Sequence, residues 1–310
     1  LGELLVDFTC NGSSPQGNPF YEANPGGAPC NVLAMLAKLG KRTAFIGKVG
    51  NDQFGHLLRQ VGLEAGISMD GLVMDAHSHT TLAFVKTAEN GDRDFSFYRD
   101  PGADTLLTPE EVSEDTIAGA KIFHFGSLSL TGEPVRSATQ KAVALARAAG
   151  DIISFDPNLR PPLWSGLEQA REQILWGLAQ CHVLKISDDE LLFLTGDSDF
   201  DAGAAKLMAQ FPNLQLVNVT AGAKGSIAYY QGLRMFQPGL SLGGVIETTG
   251  AGDTFCACVL NFLLEHGLEH LTSDDLSQML CFANAAAYLV TTRRGAIRSM
   301  PTLEQVLPLL

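Results

Sequence analysis

Long hydrophobic runs are absent from this sequence. No apolar stretch reaches the roughly 18 residues that a membrane-spanning helix needs. The N-terminal residues LGELLVDF contain no basic leader, so we expect no signal peptide. Positive charge is also scarce, because 21 Lys and Arg stand against 34 Asp and Glu, for a formal net charge of -13. That balance disfavours nucleic acid and anionic membranes as partners, whereas a nucleotide stays compatible through backbone amides and local cations.

Cysteine is scarce and scattered, which excludes a disulfide scaffold in a chain of 310 residues. The six cysteines are Cys10, Cys30, Cys181, Cys256, Cys258 and Cys281. Most have apolar neighbours in the sequence, so we expect buried thiols in a reducing cytoplasm. The Cys256-Ala-Cys258 pair has no second pair nearby, and His77 and His79 have no evident carboxylate or thiol partner, so we expect no metal site at either place.

Two nucleotide-binding motifs are also missing. No G-x-G-x-x-G follows the first predicted strand, which disfavours a dinucleotide-dependent oxidoreductase on a Rossmann sheet. The loop Thr220-Ala-Gly-Ala-Lys-Gly225 lacks the spacing of a Walker loop. If this protein binds ATP, it therefore uses another type of loop.

What the sequence does have is an alternation of strand and helix patterns. Predicted strands cover residues 4–8, 43–49, 121–125, 152–155, 182–186, 214–219 and 226–230, and predicted helices cover 26–39, 52–66, 133–149, 167–180, 255–265 and 275–291. This alternation predicts an α/β fold, in which a mostly parallel sheet has helices on both faces, as one domain over residues 1–310. Two segments interrupt it: a polar loop at 9–25, and a hairpin within 78–100 that turns at 90–92. We interpret both as parts of a small β lid.

The stretch Thr249-Gly250-Ala251-Gly252-Asp253 is the most informative loop. Its small residues leave backbone N–H groups uncovered at the start of a helix, which favours anion binding. Asp253 would repel that anion, and a role as general base toward an attacking hydroxyl would explain its position. Helix capping by Asp253 after a glycine turn is the alternative.

Other polar loops follow predicted strands, where ligands bind in sheets of this kind. Asp7, Gly27 and Asn31 suit a polyol, or simply end a strand and begin a helix. Arg160 suits a phosphate, or a surface salt bridge. Glu190 suits water-mediated Mg²⁺ binding, or a capping box with Ser187. A second predicted capping box joins Thr108 and Glu111.

The order of these loops resembles that of ribokinase/pfkB-type carbohydrate kinases over nearly the whole chain. Two stretches carry most of the resemblance, GGAPCNV at residues 26–32 and TTGAGDTF at residues 248–255. The segments FYRDPGADTLLTPEE and SFDPNLRPPLW are most similar to the fructokinase branch. The resemblance implies a ribokinase-like three-layer αβα sandwich with a β-sheet lid, and ATP-dependent transfer of a phosphoryl group to a sugar hydroxyl.

The resemblance also implies a role for each candidate residue. Asp253 would be the base, and the N–H groups of Gly250, Ala251, Gly252 and Asp253 would hold the transferred phosphoryl group. The sugar would contact Asp7, Gly27, Asn31, Phe97 and Arg99, with Arg160 near the phosphates. ATP would lie along Thr220, Gly222, Gly225 and Asn284, with Lys185 facing it and Glu190 organising Mg²⁺ through water. A monovalent cation such as K⁺ would lie near Glu247, Thr249, Arg294 and Gly295.

The expected reaction is the conversion of D-fructose and ATP to fructose 6-phosphate and ADP. Alternatives are a kinase of 2-keto-3-deoxygluconate, ribose or a riboside, and a catalytically silent sugar-binding protein. Arg99 bears on this choice, because a lid arginine suits an anionic sugar acid as well as neutral hydroxyls. We also expect a homodimer that forms through the lid, because exposed strand edges pair readily.

Overall fold

The computed structural model describes residues 1–87 and 93–310, and leaves out the side chains of residues 86, 87 and 93–95. Its strands are β1 (Leu5–Ser13), β2 (Pro19–Gly26), β3 (Thr43–Gly50), β4 (Ile67–Asp75), β5 (Leu82–Thr87), β6 (Arg93–Tyr98), β7 (Ile122–Gly126), β8 (Ile152–Asp156), β9 (Val183–Ser187), β10 (Leu216–Thr220), β11 (Gly225–Tyr230) and β12 (Leu233–Pro238). Its α-helices are α1 (Ala28–Lys38), α2 (Gln53–Glu64), α3 (Glu114–Ala118), α4 (Val135–Ala149), α5 (Leu167–Gln180), α6 (Asp188–Thr195), α7 (Phe200–Gln210), α8 (Ala251–His266), α9 (Ser273–Thr291) and α10 (Leu303–Val306).

The central sheet has the strand order β12-β11-β10-β9-β8-β7. Strands β7 to β10 are parallel, and β11 and β12 are antiparallel at one edge. The first residues extend this sheet, because the Leu1 nitrogen donates to His124 O at 2.7 Å and the Gly2 nitrogen donates to Ile46 O at 3.2 Å. Through these two bonds the parallel β3–β4 pair lies beside β7. The prediction of a mostly parallel central sheet is confirmed.

Helices cover both faces of this sheet. Helices α1, α2, α8 and α9 pack with one set of strand side chains, and α4 to α7 pack with the other. Successive strand residues alternate between the two cores, so Leu216 joins the first and Val217 the second. This alternation explains why strands β7 to β10 are mostly apolar, because their residues are buried on both faces of the sheet.

A separate four-stranded sheet, β2-β1-β5-β6, forms the lid. The interpretation of residues 9–25 as part of a small β lid is confirmed, whereas the prediction of a loop there is wrong, because β1 and β2 pair as an antiparallel hairpin. Aromatic packing stabilises this sheet despite its Gly, Pro and Asn content: Phe84 stacks on Phe8 with centroids 5.0 Å apart and meets Tyr21 and Tyr98 edge-on. The predicted hairpin of β5 and β6 is confirmed, while its turn at 90–92 lies outside the described residues.

Several further elements are absent from the sequence prediction. Strands β4 and β12 and helices α3, α7 and α10 are not predicted, and α7 begins within the acidic stretch 197–201. Asp199 accepts a hydrogen bond from Ala202 N at 2.9 Å and so caps this helix. The two predicted capping boxes, at Thr108 and Ser187, are confirmed.

The cysteines of the described chain are all free thiols, and Cys30, Cys181, Cys256 and Cys258 are buried. The histidine pair lies in the loop after β4, and the exposed His79 has a neighbour that the sequence did not indicate, Asp52, 3.7 Å away. Across residues 1–87 and 93–310, we find no helix with the length and apolar character to span a bilayer. In the same residues no group of three His, Cys, Asp or Glu could by itself hold a metal ion.

Candidate active site

A cavity of about 330 Å³ lies between the lid sheet and the carboxyl ends of β8 and β9. Lid strands form one wall, and the first turns of α1 and α8 form the opposite wall. The sequence-predicted residues that line it are Asp7, Gly27, Asn31, Phe97, Arg160, Lys185, Glu247, Thr249, Gly250, Gly252, Asp253 and Gly295. The cavity therefore brings together candidates from both ends of the chain.

Helix α8 begins at the cavity wall opposite the lid. Gly250 precedes it with a φ of 79°, and a side chain there would lie 3.3 Å from the Ala296 Cβ, so the turn favours glycine. The N–H groups of the first turn point out of the helix. Of these, Ala251 N makes a turn bond of 3.3 Å to Thr248 O, whereas Gly252 and Asp253 follow it in the same turn. This end of α8 can bind an anion.

Lys185 brings positive charge to the same place. Its Nζ lies 3.1 Å from where a Cβ on Gly252 would be, so the ammonium lies close against the first turn of the helix. Lys185 is buried and pairs with Asp156 Oδ2 at 3.0 Å. Burial alone would lower the pKa of Lys185, but the carboxylates of Asp156 and Glu190 more than offset it and raise the pKa above its ordinary value. The lysine therefore stays cationic.

Asp253 is buried, with 9% of its surface exposed. Its Oδ2 accepts a hydrogen bond of 2.7 Å from Asn31 Nδ2 of helix α1. Burial raises the pKa of this carboxyl, while the Asn31 bond and the charges of Lys185 and Arg160 oppose the rise. In the described chain, no side chain caps the start of α8, whose cap residue is Gly250. The capping interpretation of Asp253 therefore has no support, and its position suits proton transfer at the cavity wall.

Asn31 and Gly27 lie at the start of α1. Asn31 donates its backbone N–H to Gly27 O at 2.9 Å, and its Oδ1 is buried with no hydrogen-bond partner in the described chain. Gly27 has a φ of 127°, and a Cβ there would lie 2.4 Å from Glu3 O. An unsatisfied buried acceptor beside a cavity is costly unless a ligand or water donates to it. A sugar hydroxyl suits that acceptor.

Glu190 lies just behind the cavity rather than on its wall. Its carboxylate accepts Leu159 N at 2.7 Å and Ser187 N at 2.9 Å. The first bond fixes the loop after β8, which carries Arg160 to the cavity. The second belongs to the predicted capping box with Ser187, which is confirmed. A carboxylate has about four acceptor sites, so two remain for water.

Apart from Lys185, the predicted nucleotide residues lie outside this cavity, around the β10–β11 turn. Gly225 has a φ of 111°, and a Cβ there would lie 2.1 Å from Gln237 O, so the turn itself requires glycine. Asn284 Nδ2 donates to Gln237 O at 3.1 Å, and its Oδ1 accepts from Ser226 at 2.9 Å. Thr220 ends β10 and bonds weakly to Ile186 O at 3.4 Å, and Gly222 follows in the turn. Structural roles account for these contacts.

Arg99 does not line this cavity. It donates to Asp104 at 2.7 and 2.8 Å, to Leu128 O at 2.8 Å and to Thr131 Oγ1 at 3.2 Å, with its side chain only 4% exposed. It borders a neighbouring cavity of about 580 Å³ instead. The predicted sugar contact of Arg99 therefore has no support in this geometry, where Arg99 ties the end of the lid to the turn after β7.

The predicted cation residues lie at the cavity rim. Gly295 N is 3.5 Å from Glu247 Oε2, and Ile246 N and Glu247 N both donate to Thr291 O, so the two segments run side by side. Arg294 turns away and donates to Asn11 Oδ1 of the lid at 2.6 Å. Thr249 lines the cavity between them.

Several cavity residues are not identified as site residues by the sequence analysis, among them Glu3, Asn24 and Asn158. Glu3 is buried, and its Oε1 accepts Ala28 N at 2.9 Å. Asn158 adopts a left-handed φ of 43°, and Asn24 projects from β2. The polar run around Asn158 signals a functional loop, but nothing local marks Glu3, because its partner lies 25 residues away.

A helix terminus that binds anions, a buried lysine beside it and a buried carboxylate opposite a polar wall are typical of a kinase for small molecules. The chain belongs to the pfkB family of carbohydrate kinases, since the model of that family, described as pfkB family carbohydrate kinase, matches residues 1–303. The ribokinase/pfkB-type resemblance is thereby confirmed.

Individual relatives agree with this assignment. The chain is 42% identical to a probable fructokinase-4 of Arabidopsis thaliana over 312 residues, which cover 100% of this chain and 95% of that protein. A fructokinase of Xylella fastidiosa, solved with bound ATP, superposes with a TM-score of 0.90 at 33% identity, covering 99% and 96% of the two chains. A double mutant of a fructokinase from Vibrio cholerae O395, solved with fructose, ADP and potassium, gives a TM-score of 0.88 at 30% identity, covering 100% and 96%.

Proposed function

We propose that this protein phosphorylates D-fructose with ATP and releases fructose 6-phosphate and ADP. One observation carries the proposal: the carboxylate of Asp253, held by Asn31 at 2.7 Å, faces the cavity at the anion-binding end of α8. The fructokinase relatives favour fructose as acceptor, since the similarity extends over the whole chain. The likeness alone would not assign the base, which rests on the geometry.

In this mechanism Asp253 accepts the proton of the attacking sugar hydroxyl. The hydroxyl oxygen bonds to the γ-phosphorus while the bond to the ADP oxygen breaks. The N–H groups of Gly252 and Asp253, with Lys185 and Arg160, stabilise the charge that develops on the phosphoryl oxygens. Burial raises the pKa of Asp253, which makes it a better proton acceptor at neutral pH than an exposed carboxylate.

The sugar lies, in this proposal, between the lid and α1. Asp7 and Asn31 bind its hydroxyls, the backbone at Gly27 approaches it closely, and Phe97 covers an apolar face. Arg99 could join them only by breaking its ion pair with Asp104, which would leave this buried carboxylate without its cationic partner. We therefore assign the sugar contacts to the other four residues.

The charged side chains around Lys185 suit the binding of MgATP. Mg²⁺ prefers oxygen ligands, keeps much of its water and binds through substrate phosphates, so Glu190 and Asp156 suit it through water. Bound there, Mg²⁺ would supply charge neutralisation for the phosphates. We assign ATP binding to Thr220, Gly222, Gly225 and Asn284. These residues lie at the end of β10, in the turn that follows it, at the start of β11 and in α9.

The rim segments suit a monovalent cation such as K⁺. Glu247 supplies a carboxylate, and the backbone at Thr249, Arg294 and Gly295 supplies carbonyl oxygens close to the start of α8. A cation there would increase the positive potential at that helix end.

The exposed face of the lid sheet bears on the oligomeric state of the protein. Phe20, Tyr21 and Tyr98 expose 55%, 47% and 67% of their surfaces on the lid sheet, and β2 is an edge strand. We propose a homodimer that forms through this face, and a monomer mass by light scattering at assay concentration would contradict it. The free thiols favour a cytoplasmic protein.

The test is ADP release from MgATP with fructose, ribose and 2-keto-3-deoxygluconate, for wild type and Asp253→Ala. Fructose should give the highest kcat/KM, and loss of the base should lower kcat by roughly 10²–10⁴-fold. Asp70→Ala, which removes an exposed carboxylate on β4, is the matched control and should retain activity.

Three outcomes distinguish the alternatives. If another sugar gives a higher kcat/KM than fructose, the proposed mechanism stands and that sugar is the substrate. No turnover with any sugar would favour a silent sugar-binding protein. Equal rates for wild type and Asp253→Ala would remove Asp253 as the base.

A further inference from the structure

Glu3 is a buried acid that the mechanism above does not use. Only 3% of its surface is exposed, although it lines the same cavity as Asp253. Burial raises the pKa of its carboxyl to about 7, so a buried carboxylate is retained here at a cost in stability. Such a group needs a role that an apolar side chain could not fill.

Glu3 contacts the start of α1 through both its side chain and its backbone. Its Oε1 accepts Ala28 N, the first N–H of the helix, at 2.9 Å. Its backbone carbonyl lies 2.4 Å from where a Cβ on Gly27 would be. The adjoining Gly2 is equally close to the helix, because a Cβ there would meet Pro29 Cγ at 2.6 Å. Residues 2 and 3, which precede β1, therefore pack closely against the first turn of α1.

The same helical turn determines the position of Asn31. The Asn31 backbone N–H donates to Gly27 O at 2.9 Å, and its side chain donates to Asp253 Oδ2 at 2.7 Å. A continuous path thus runs from Glu3 through the adjoining residues Gly27 and Ala28 to Asn31, and from Asn31 to Asp253.

We propose that Glu3 is a positioning residue for phosphoryl transfer, which holds the first turn of α1 so that Asn31 stays hydrogen-bonded to Asp253. This inference rests on the proposed role of Asp253 as base. It does not depend on which sugar is the acceptor, so the sugar with the highest kcat/KM serves as substrate in every test.

The first test compares Glu3→Ala with Glu3→Gln. Glu3→Ala removes the acceptor and should lower kcat by roughly 10- to 100-fold, because a small misplacement of a reacting group has an effect of that size. The KM for ATP should stay near wild type, since the nucleotide surface lies elsewhere. Glu3→Gln keeps an acceptor of the same size and should retain kcat within about threefold.

The second test is a double-mutant cycle with Asn31→Ala. If Glu3 acts through Asn31, then Glu3→Ala should add no further loss of kcat to Asn31→Ala. Multiplicative losses would overturn the proposal, because they would mean that the two residues act independently.

The third test is the pH dependence of kcat. The Asn31 hydrogen bond lowers the pKa of Asp253, so both Glu3→Ala and Asn31→Ala should move the acid limb of the profile to higher pH. Glu3→Gln should leave the limb in place. The charged or titratable side chains that face Glu3 are those of Cys30, Arg99 and Asp104, and those that face Asp253 are Asp156, Arg160, Lys185 and Cys256. All seven are unchanged in these variants, and a limb that stays fixed in both alanine variants would contradict the proposal.

If Glu3→Ala fails to fold, Ala28→Pro supplies the same test from the other partner. Proline is tolerated at the first helical position, and it removes the N–H that Glu3 accepts. It should reproduce the fall in kcat and the shift of the acid limb. A folded Ala28→Pro protein with wild-type kcat would overturn the proposal. Absence of turnover by wild type with every sugar would instead count against the proposed function.

Discussion

At the scale of single residues, Lys185 places a buried positive charge in the cavity. The protein is strongly acidic, yet this ammonium lies within hydrogen-bond distance of Asp156 and beside the first turn of α8. The pairing keeps it cationic in a place from which water is largely excluded. The lysine thereby stabilises both a buried carboxylate and the anion that we expect at the helix terminus.

Replacing Lys185 should therefore affect both stability and nucleotide binding. Lys185→Met leaves Asp156 buried without its partner, which should lower the free energy of unfolding by about 3–5 kcal/mol and raise the KM for ATP. Urea unfolding and ADP-release kinetics measure the two effects. Lys206→Met breaks an exposed ion pair with Asp197 and is the matched control, which should change neither quantity much. Equal losses in the two variants would refute the buried-pair argument.

At the scale of elements, the start of α1 requires glycine for two separate reasons. Gly27 has a positive φ, and a side chain there would collide with the backbone of Glu3. Gly40, at the other end of α1, also has a positive φ of 78°, but a Cβ there would meet open space. Gly40 therefore serves as the reference for a positive φ without a close approach.

We expect Gly40→Ala to lower the free energy of unfolding by about 1–2 kcal/mol, which is the cost of the conformation alone. Gly27→Ala should lower it by at least about twice as much and should also lower kcat, because the first turn of α1 must move. Chemical denaturation and steady-state kinetics check both variants. Similar stability of the two would mean that the contact with Glu3 relaxes without cost.

At the scale of the whole molecule, Arg99 joins the lid to the rest of the fold. It follows β6 directly and bonds to Asp104, to Leu128 O and to Thr131, while Leu128 also lines the cavity. Lids of kinases exclude water, which otherwise competes with the sugar for the phosphoryl group. The arrangement gives Arg99 an influence on closure without a contact to the sugar.

Arg99→Ala should loosen the lid. We expect a higher KM for the sugar and more ADP release in the absence of sugar, because water then reaches the phosphoryl group. Arg298→Ala, which breaks an exposed pair with Glu64, is the control and should leave both unchanged. If Arg99 binds the sugar directly, the variant should instead lose sugar turnover without any gain in ATP hydrolysis.

The sequence alone determined the features that depend on local patterns. Strand and helix periods predicted the mostly parallel sheet with two helical layers, and small residues before a helix predicted the anion-binding end at Gly250 and Gly252. The capping boxes at Thr108 and Ser187 were predictable because the whole signal lies within four residues. The single domain over residues 1–310 stays a prediction.

Only the tertiary structure decided which groups meet. Asn31 and Asp253 are 222 residues apart, and Glu3 and Ala28 belong to segments whose contact no local pattern encodes. Arg99 pairs with Asp104 rather than lining the cavity, and residues 9–25 form a hairpin because Phe84 of a distant strand packs against Tyr21. The physical reason is the same in each case. Periodicity and caps act within one element, whereas burial and pairing of polar groups depend on what the packed elements bring next to them.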